Sequence, residues 1–331
     1  MSGKVAVSVV TPMKNRLGLL RQTIDSVETQ TFEHWEHIIV DDGSDDDVAQ
    51  EVERLAAARP RIRYLKRRSP GANACRNLGI LHSRGELVVL LDSDDLLAPH
   101  CLRQRVDAMQ RNQDLDFAVF PGRVFSETAE DSRRLFSPVT AGSDLDRFLY
   151  LEHPWQTSGP IWRRSAIEKV GLFSEGLMSW QDVDLHVRAL AAGLKYLKYD
   201  TPDHYVRWSA EPGRTSFQQF RTAAHLSAGP AIVEGFRARL ADSGLMTWGR
   251  RRALGGLLFL LAERWIRIGN LTQGLRVWRG AFGKDYVPLR VYAGGLAVLI
   301  AFKLNILGPS YTERLLERFK YAVRFRSEPA L

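Results

Sequence analysis

Three carboxylates crowd into four residues at Asp92-Ser93-Asp94-Asp95, directly after the apolar run Leu87–Leu91. Such a run is typical of a strand buried on both faces of a parallel sheet, so the acids lie at its carboxyl edge, where open α/β sheets bind ligands. Oxygen ligands at this density suit Mg²⁺ or Mn²⁺, which bind through one or two carboxylates together with substrate phosphates. The alternative is a solvated acidic turn that caps a helix beginning near Pro99. The turn alone leaves both interpretations open.

Composition narrows the class of protein. A chain of 331 residues, 45% hydrophobic and 25% charged, fits a globular protein with one large domain and an appendage, or with two domains. No apolar signal region precedes the first predicted strand, so we expect no secretion and a cytoplasmic location. Cys75 and Cys101 form no CxxC pair, which argues against disulfide frameworks and zinc sites.

The positive charge is concentrated in the last quarter of the chain. Residues 245–331 contain 15 Lys and Arg against five Asp and Glu, whereas residues 1–244 contain 31 against 33. Here Leu315, Phe319 and Val323 alternate with basic residues, which predicts a basic amphipathic helix. This helix either lies on an anionic membrane surface or packs on the rest of the protein with a solvated basic face. No nucleic-acid-binding motif accompanies the charge, so we expect no nucleic-acid partner.

Strands and helices alternate in the first part of the chain, which predicts a mostly parallel sheet covered by helices. The predicted strands are Val5–Val10, His37–Val40, Ile62–Leu65 and Leu87–Leu91. A polar loop follows each strand, and the loops meet at one edge, where Lys and Arg bind phosphates and carboxylates accept from a base or a ribose. Neither G-x-G-x-x-G nor a P-loop follows the first strand, so a metal ion at the acidic turn is the natural substitute for holding a pyrophosphate.

The order of the motifs resembles that of family 2 glycosyltransferases, inverting enzymes with the GT-A fold. The matching motifs are Val7-Ser8-Val9-Val10-Thr11-Pro12 with Asn15-Arg16, Asp41-Asp42-Gly43-Ser44, Cys75-Arg76-Asn77-Leu78-Gly79-Ile80, Asp92-Ser93-Asp94-Asp95, Gly159-Pro160-Ile161-Trp162-Arg163-Arg164, Val170-Gly171-Leu172-Phe173 and Trp180-Gln181-Asp182-Val183-Asp184-Leu185. The resemblance covers roughly residues 5–215. It implies an α/β GT-A domain at residues 1–240, with a mixed, mostly parallel sheet flanked by helices, followed by a basic helical extension at 241–331.

The resemblance also implies a donor site. Thr11 and Pro12 would lie against the nucleotide, and Asp42 would accept from its base. Asp92 would hold the ribose and Asp94 a Mn²⁺ or Mg²⁺ ion. Further candidate metal ligands are Asp95 and His204, and the remaining candidate donor contacts are Asn15, Arg68, Arg76, Ser93, Arg207 and Arg214. The segment His204–Trp208 and the residues around Arg214 are expected to form a flexible loop over the donor.

Asp182 is the expected catalytic base, because it matches the final Asp of the family's Glu-Asp pair. Inverting transfer is a direct displacement, so one carboxylate that deprotonates the acceptor hydroxyl is enough. Gln181 stands where the family has Glu, which implies changed acceptor contacts. Asp182 would equally suit the N-terminal cap of a helix. Trp155 and Trp180 are candidate acceptor contacts through stacking, or packing residues.

We therefore expect an inverting, metal-dependent transfer from a nucleoside diphosphate sugar, with a UDP-sugar favoured, to a saccharide or glycolipid acceptor in surface polysaccharide or glycolipid synthesis. If the basic tail binds lipid, the protein would be peripheral on the cytoplasmic face of the inner membrane. Two alternatives remain. One is a nucleotidyltransferase, which would need a Gly- and Lys-rich phosphate loop after the first strand, and this loop is missing. The other is a non-catalytic nucleotide-sugar-binding protein, which Gln181 in place of the family's Glu would suit.

Overall fold

The computed structural model describes residues 5–67, 71–132, 134–137, 139–208, 222–304 and 309–325. These residues form two compact units. The first unit takes the described residues of Met1–Gly142, His153–Gly176 and Ala192–Ala210, and the second takes those of Ser143–Glu152, Leu177–Ala191 and Glu211–Leu331. The units therefore do not follow a single cut in the sequence. The boundary expected at residue 240 falls inside the helix Gly229–Asp242.

A mixed, mostly parallel sheet forms the centre of the first unit. Its strands are β1 (Val7–Met13), β2 (Trp35–Asp41), β3 (Ile62–Lys66), β4 (Leu87–Leu90), β6 (Phe117–Val119), β9 (Pro160–Arg163) and β10 (Tyr196–Lys198). In the spatial order β10-β6-β9-β4-β1-β2-β3, strand β9 is antiparallel to both of its neighbours and the other pairs are parallel. The predicted α/β class is confirmed.

Burial explains the sequence patterns of this sheet. Every residue of β1 and β4 is buried, as expected for parallel strands that read as apolar runs. Strand β1 continues beyond the predicted end at Val10, because Thr11–Met13 still pair with Ile39–Asp41 of β2. The helices of this unit are α1 (Leu17–Glu28), α2 (Asp46–Ala57), α3 (Ala72–Leu81), α4 (Cys101–Arg111) and α6 (Arg164–Lys169).

A smaller sheet of the same unit begins directly after the acidic turn. Its strands, in the spatial order β5-β11-β7-β8, are β5 (Leu96–Leu97), β11 (His204–Arg207), β7 (Gly122–Phe125) and β8 (Arg134–Leu135), with a 3-10 turn at Ala129–Asp131. The turn Asp92–Asp95 thus joins the two sheets. Because α4 begins only at Cys101 and has no acid in its first turn, the interpretation of these acids as its cap is wrong. His204–Arg207 is a strand and not part of the expected flexible loop.

All the secondary-structure elements described in the second unit are helices. The helices are α5 (Asp144–Leu149), α7 (Gln181–Ala191), α8 (Ala223–Ser227), α9 (Gly229–Asp242), α10 (Trp248–Arg267), α11 (Leu271–Gly283), α12 (Leu289–Leu304) and α13 (Pro309–Phe325). The apolar stripe of α10, which includes Leu254 and Leu261, is buried. Among the described residues, no helix combines the length and the apolar character needed to cross a bilayer.

Candidate functional site

The carboxyl ends of β1, β2 and β4 bring the predicted donor-binding segments together. The Leu91 N–H donates to the Val10 carbonyl over 2.9 Å, and the Asp42 N–H donates to the Met13 carbonyl over 2.8 Å. Asp92, the next residue after Leu91, therefore lies beside β1. The loops that follow β1, β2 and β4 therefore lie close together within the first unit.

Arg76 binds the first acid of the turn. Its Nη2 is 2.7 Å from Asp92 Oδ1 and its Nη1 is 3.2 Å from Asn73 Oδ1, while its guanidinium lies over the Phe173 ring, 5.3 Å from the centroid. Arg76 is buried, whereas the Asp92 side chain is 35% exposed. The ion pair orients the Asp92 carboxylate and leaves it partly open, which suits a contact with a ribose hydroxyl.

Asp94 faces the loop that follows β1. Its Oδ2 is 3.6 Å from Nη1 of Arg16, and both Asn15 and Arg16 have a left-handed backbone, with φ of 55° and 56°. The Asn15 N–H donates to Ser44 Oγ over 2.8 Å, and Asn15 Oδ1 accepts from the Asp45 N–H over 2.9 Å. Asn15 thus ties this loop to the turn after β2, and Arg16 brings a positive charge to Asp94.

Asp95 is a buried anchor of the turn. Its carboxylate accepts from the backbone N–H of Arg207 over 2.9 Å and from the Ser158 hydroxyl over 3.4 Å. Its carbonyl accepts from Thr23 Oγ1 over 2.9 Å. Because protein donors meet both oxygens of this carboxylate, the contacts argue against the predicted metal ligation by Asp95.

The guanidinium of Arg207 contacts protein groups around the turn. Its Nε donates to the Asp94 carbonyl over 3.0 Å, its Nη1 to the Ser126 carbonyl over 3.0 Å, and its Nη2 to Gln22 Oε1 over 2.6 Å. It also lies 4.4 Å from the centroid of the Phe125 ring. These contacts support a positioning role for Arg207. The contact with the diphosphate that the sequence predicts would compete with them.

Asp42 is held at the start of α3. Its Oδ1 accepts from the Gly71 N–H over 2.5 Å and lies 3.6 Å from Cys75 Sγ. Gly71 has a φ of 138°, a conformation that favours glycine. Burial, aided by the nearby Asp42 charge, raises the pKa of the Cys75 thiol to about 12, so the thiol is neutral and donates. Two other candidate donor contacts, Arg68 and Arg214, lie outside the described residues.

Thr11 and Pro12 are buried in β1, and Ser93 is partly exposed between the first two acids. Thr11 Oγ1 is 2.9 Å from His37 Nε2. Burial lowers the pKa of His37 to about 3, so its ring is neutral. The Thr11 hydroxyl is thus engaged inside the sheet, and its expected contact with the nucleotide stays a prediction.

His204 belongs to a buried ion-pair network. Arg105 donates to the Asp203 carboxylate through Nε and Nη2, over 2.7 and 2.8 Å, and His204 Nδ1 is 3.0 Å from Asp203 Oδ1. Burial lowers the pKa of His204. Burial alone would raise the pKa of Asp203, but the charges and hydrogen bonds of Arg105 and His204 have the larger effect, so the pKa of Asp203 is lowered. A Cβ at Gly122 would lie 2.6 Å from His204 Nε2. These contacts favour a structural role for His204 over the predicted metal ligation.

A metal ion at the acidic turn would need further ligands from the substrate. Among the described residues, no group of three or more His, Cys, Asp or Glu side chains is arranged to hold a metal. Mg²⁺ and Mn²⁺ commonly bind through one or two carboxylates together with substrate phosphates. Asp94, with Asp92 beside it, fits this pattern.

Trp155 packs in the core of the first unit. Its ring centroid lies 6.2 Å from that of Phe117 and 5.6 Å from that of Tyr196, and the side chain is buried. This environment supports packing, the alternative to an acceptor contact.

The proposed catalytic segment begins α7 in the second unit. Trp180 is buried and has a φ of 58°, a conformation that is rare for a bulky residue and is concentrated at functional sites. Gln181 Nε2 donates to the Leu177 carbonyl over 3.0 Å, and Asp182 Oδ1 accepts from the Val183 N–H over 2.9 Å. Asp182 is partly exposed and is the second residue of the helix, so it is not the N-cap residue.

Sequence reasoning missed several partners of the acidic turn. Gln22, Thr23 and Ser158 belong to no recognised motif, and they reach the turn through contacts between segments distant in the chain. One signal was available. Thr23 lies at helical spacing within the buried stripe of α1 between Leu20 and Val27, where a hydroxyl needs a hydrogen-bond partner.

Known proteins resemble parts of the chain. An uncharacterized glycosyltransferase of Rickettsia bellii is 38% identical over 137 residues, which are 41% of this chain and 19% of the relative. The putative teichuronic acid biosynthesis glycosyltransferase TuaG of Bacillus subtilis is 33% identical over 150 residues, which are 44% of this chain and 53% of TuaG. The chain thus spans less than a fifth of the length of the first relative and about half of the second.

Solved structures resemble the whole chain in fold. S. aureus TarS 1–349 in complex with UDP-GlcNAc has a TM-score of 0.61 at 16% identity, over 96% of this chain and 90% of TarS 1–349. The mannosyltransferase PcManGT from Pyrobaculum calidifontis, in complex with GDP-Man and Mn²⁺, has a TM-score of 0.54 at 16% identity, over 96% of this chain and 85% of PcManGT. The predicted GT-A fold is confirmed.

A family model matches the part of the chain that contains the donor-site motifs. The model of Glycosyl transferase family 2 matches residues 8–171, a range that contains Asp42, Arg76 and the acidic turn. Through residues 8–171, the chain belongs to glycosyl transferase family 2.

Proposed function

We propose that the chain is an inverting, metal-dependent glycosyltransferase that moves a sugar from a nucleoside diphosphate sugar to an acceptor hydroxyl. One observation carries the proposal: Asp42, the Arg76–Asp92 ion pair and Asp94 meet at the carboxyl edge of one sheet. The neighbours TarS and PcManGT are bound to UDP-GlcNAc and GDP-Man, and we retain the UDP-sugar favoured by the sequence.

Each residue of the edge has a role in donor binding under this proposal. Asp42 accepts from the base, Asp92 accepts from a ribose hydroxyl, and Asp94 holds Mn²⁺ or Mg²⁺ together with the diphosphate. When bound, the metal offsets the negative charge that develops on the leaving diphosphate. Arg16, 3.6 Å from Asp94, adds a positive charge at the same edge.

Asp182 is the proposed base. It takes the proton of the acceptor hydroxyl, whose oxygen forms a bond to the anomeric carbon while the bond to the diphosphate breaks on the opposite face, so the configuration inverts. The partial exposure of Asp182 and the unusual backbone of Trp180 just before it support this role.

The proposed acceptor is a saccharide or glycolipid of surface polysaccharide synthesis, a proposal that the name of TuaG supports. Gln181 is the proposed acceptor contact, because it is partly exposed and directly precedes Asp182 at the start of α7. Trp155 and Trp180 are left out, since both side chains are buried. The expected cytoplasmic location stays a prediction.

The proposal is tested with Asp182→Asn and a matched control, Asp242→Asn, at the exposed end of α9. We expect Asp182→Asn to lower the release of nucleoside diphosphate from a panel of UDP- and GDP-sugars, with Mn²⁺ and saccharide acceptors present, by at least about 100-fold. UDP binding, measured by calorimetry, should persist, and Asp242→Asn should resemble the parent. Near-parental turnover of Asp182→Asn would overturn the assignment of the base. Absence of both UDP and GDP binding by the parent would overturn the donor site.

A further inference from the structure

The basic amphipathic helix predicted from the sequence is α13, and its apolar side packs inside the second unit. Leu316 of α13 is fully buried, and the Phe319 ring centroid lies 4.7 Å from that of Phe259. Lys320 Nζ is 3.7 Å from the buried carboxylate of Glu263 on α10. These contacts fix α13 to α10. Its described apolar residues are therefore poorly placed to enter a membrane.

The preceding helix, α12, exposes an apolar face. Leu289 and Leu304 are each 63% exposed and Ile300 is 38% exposed, with the exposed Ala293 and Ala297 between them. The spacing of these five residues places them along one side of a helix. We call them the α12 stripe.

The other side of α12 is packed inside the second unit. Val298 and Leu299 are buried, and a Cβ at Gly295 would lie 2.5 Å from the Trp278 ring. The stripe is therefore a second apolar face and is not the one that holds the helix in place.

Exposed cations lie on the helix that carries the stripe and on the helix before it. Helices α11 and α12 contain Arg276, Arg279, Arg290 and Lys303, all exposed, and neither helix contains Asp or Glu. An apolar stripe on a helix whose charged residues are all cations complements an anionic lipid surface, where apolar groups enter the headgroup boundary and cations meet phosphates. The helix is about 24 Å long, shorter than the bilayer core, so it would lie in the interface.

We propose that the α12 stripe is a docking surface for an anionic lipid bilayer. A second copy of the chain fits less well, because a two-fold interface at the stripe would set the same cations against each other. This inference goes beyond the proposed sugar transfer and does not depend on it.

The test is flotation of the full chain with vesicles of phosphatidylglycerol and phosphatidylcholine, compared with phosphatidylcholine alone. The parent should float with the anionic vesicles, and less so at high salt. The double variant Ile300→Gln/Leu304→Gln should lose at least about tenfold in partitioning. Arg290→Gln/Lys303→Gln should lose about 25-fold, from about fivefold for each cation at an anionic surface.

The matched control is Leu81→Gln, which replaces an exposed leucine at the end of α3. It should float like the parent, and circular dichroism checks that each variant keeps its helical content. Equal flotation of the parent and Ile300→Gln/Leu304→Gln would overturn the proposal, as would a parent that does not float. A stripe variant that changes only the sedimentation coefficient, from dimer to monomer, would assign the stripe to a second copy.

Discussion

The acidic turn of the first unit and the α12 stripe of the second unit use charge in opposite ways. At the turn, each acid has a partner within the protein: Arg76, Arg16 and the backbone N–H of Arg207. On the stripe's own helix, α12, the charges are exposed and of one sign. Paired charges hold side chains in one geometry for a defined ligand, whereas exposed charges of one sign attract an extended anionic partner.

The largest effect should come from breaking a buried pair of the first unit. Asp203→Asn leaves the fully buried Arg105 without its carboxylate, so the free energy of unfolding should fall by about 3–5 kcal/mol in urea denaturation. Asp114→Asn removes an exposed partner of Lys195 at 3.5 Å and should cost less than about 1 kcal/mol. Similar losses for the two variants would contradict the distinction between buried and exposed charge.

The next test separates positioning from ligand binding at Arg207. Arg207→Lys keeps the charge but loses the fork that reaches Asp94, Ser126 and Gln22, so turnover should fall about 100-fold through displacement of the turn. The dissociation constant for UDP should change little, and Arg54→Lys, at an exposed position, should behave like the parent. A weakened affinity for UDP with normal turnover would instead mean that Arg207 binds the diphosphate.

A smaller effect depends on pH. The pKa of His37 is lowered to about 3 by burial, from 6.5 in the unfolded chain, so the unfolded state binds more protons between these values. The stabilisation is complete above pH 6.5 and is lost as the pH falls toward 3. Between pH 7 and pH 5, His37 should account for a loss of about 2 kcal/mol. Urea denaturation of His37→Gln should show a flatter pH dependence, and an unchanged slope would contradict this account.

Much of the fold could be predicted from the sequence, because its signals are local. The apolar run of β4 and the spacing of Leu20, Ile24 and Val27 in α1 report burial directly. The local sequence predicts a loop at His204–Arg207, because the pairing of this strand with β5 and β7 depends on segments distant in the chain. The contacts of Arg207 depend on distant segments in the same way.

Local patterns in the amino-acid sequence are enough to predict the alternation of strands and helices, the acids at the end of a buried strand, the family, and the excess of positive charge in the last quarter. Long-range contacts are needed to show that protein donors engage Asp95, and that α12 rather than α13 exposes an apolar stripe. An apolar stripe or a carboxylate has the same local sequence pattern whether its partner is protein, ligand or lipid. Long-range packing selects the partner.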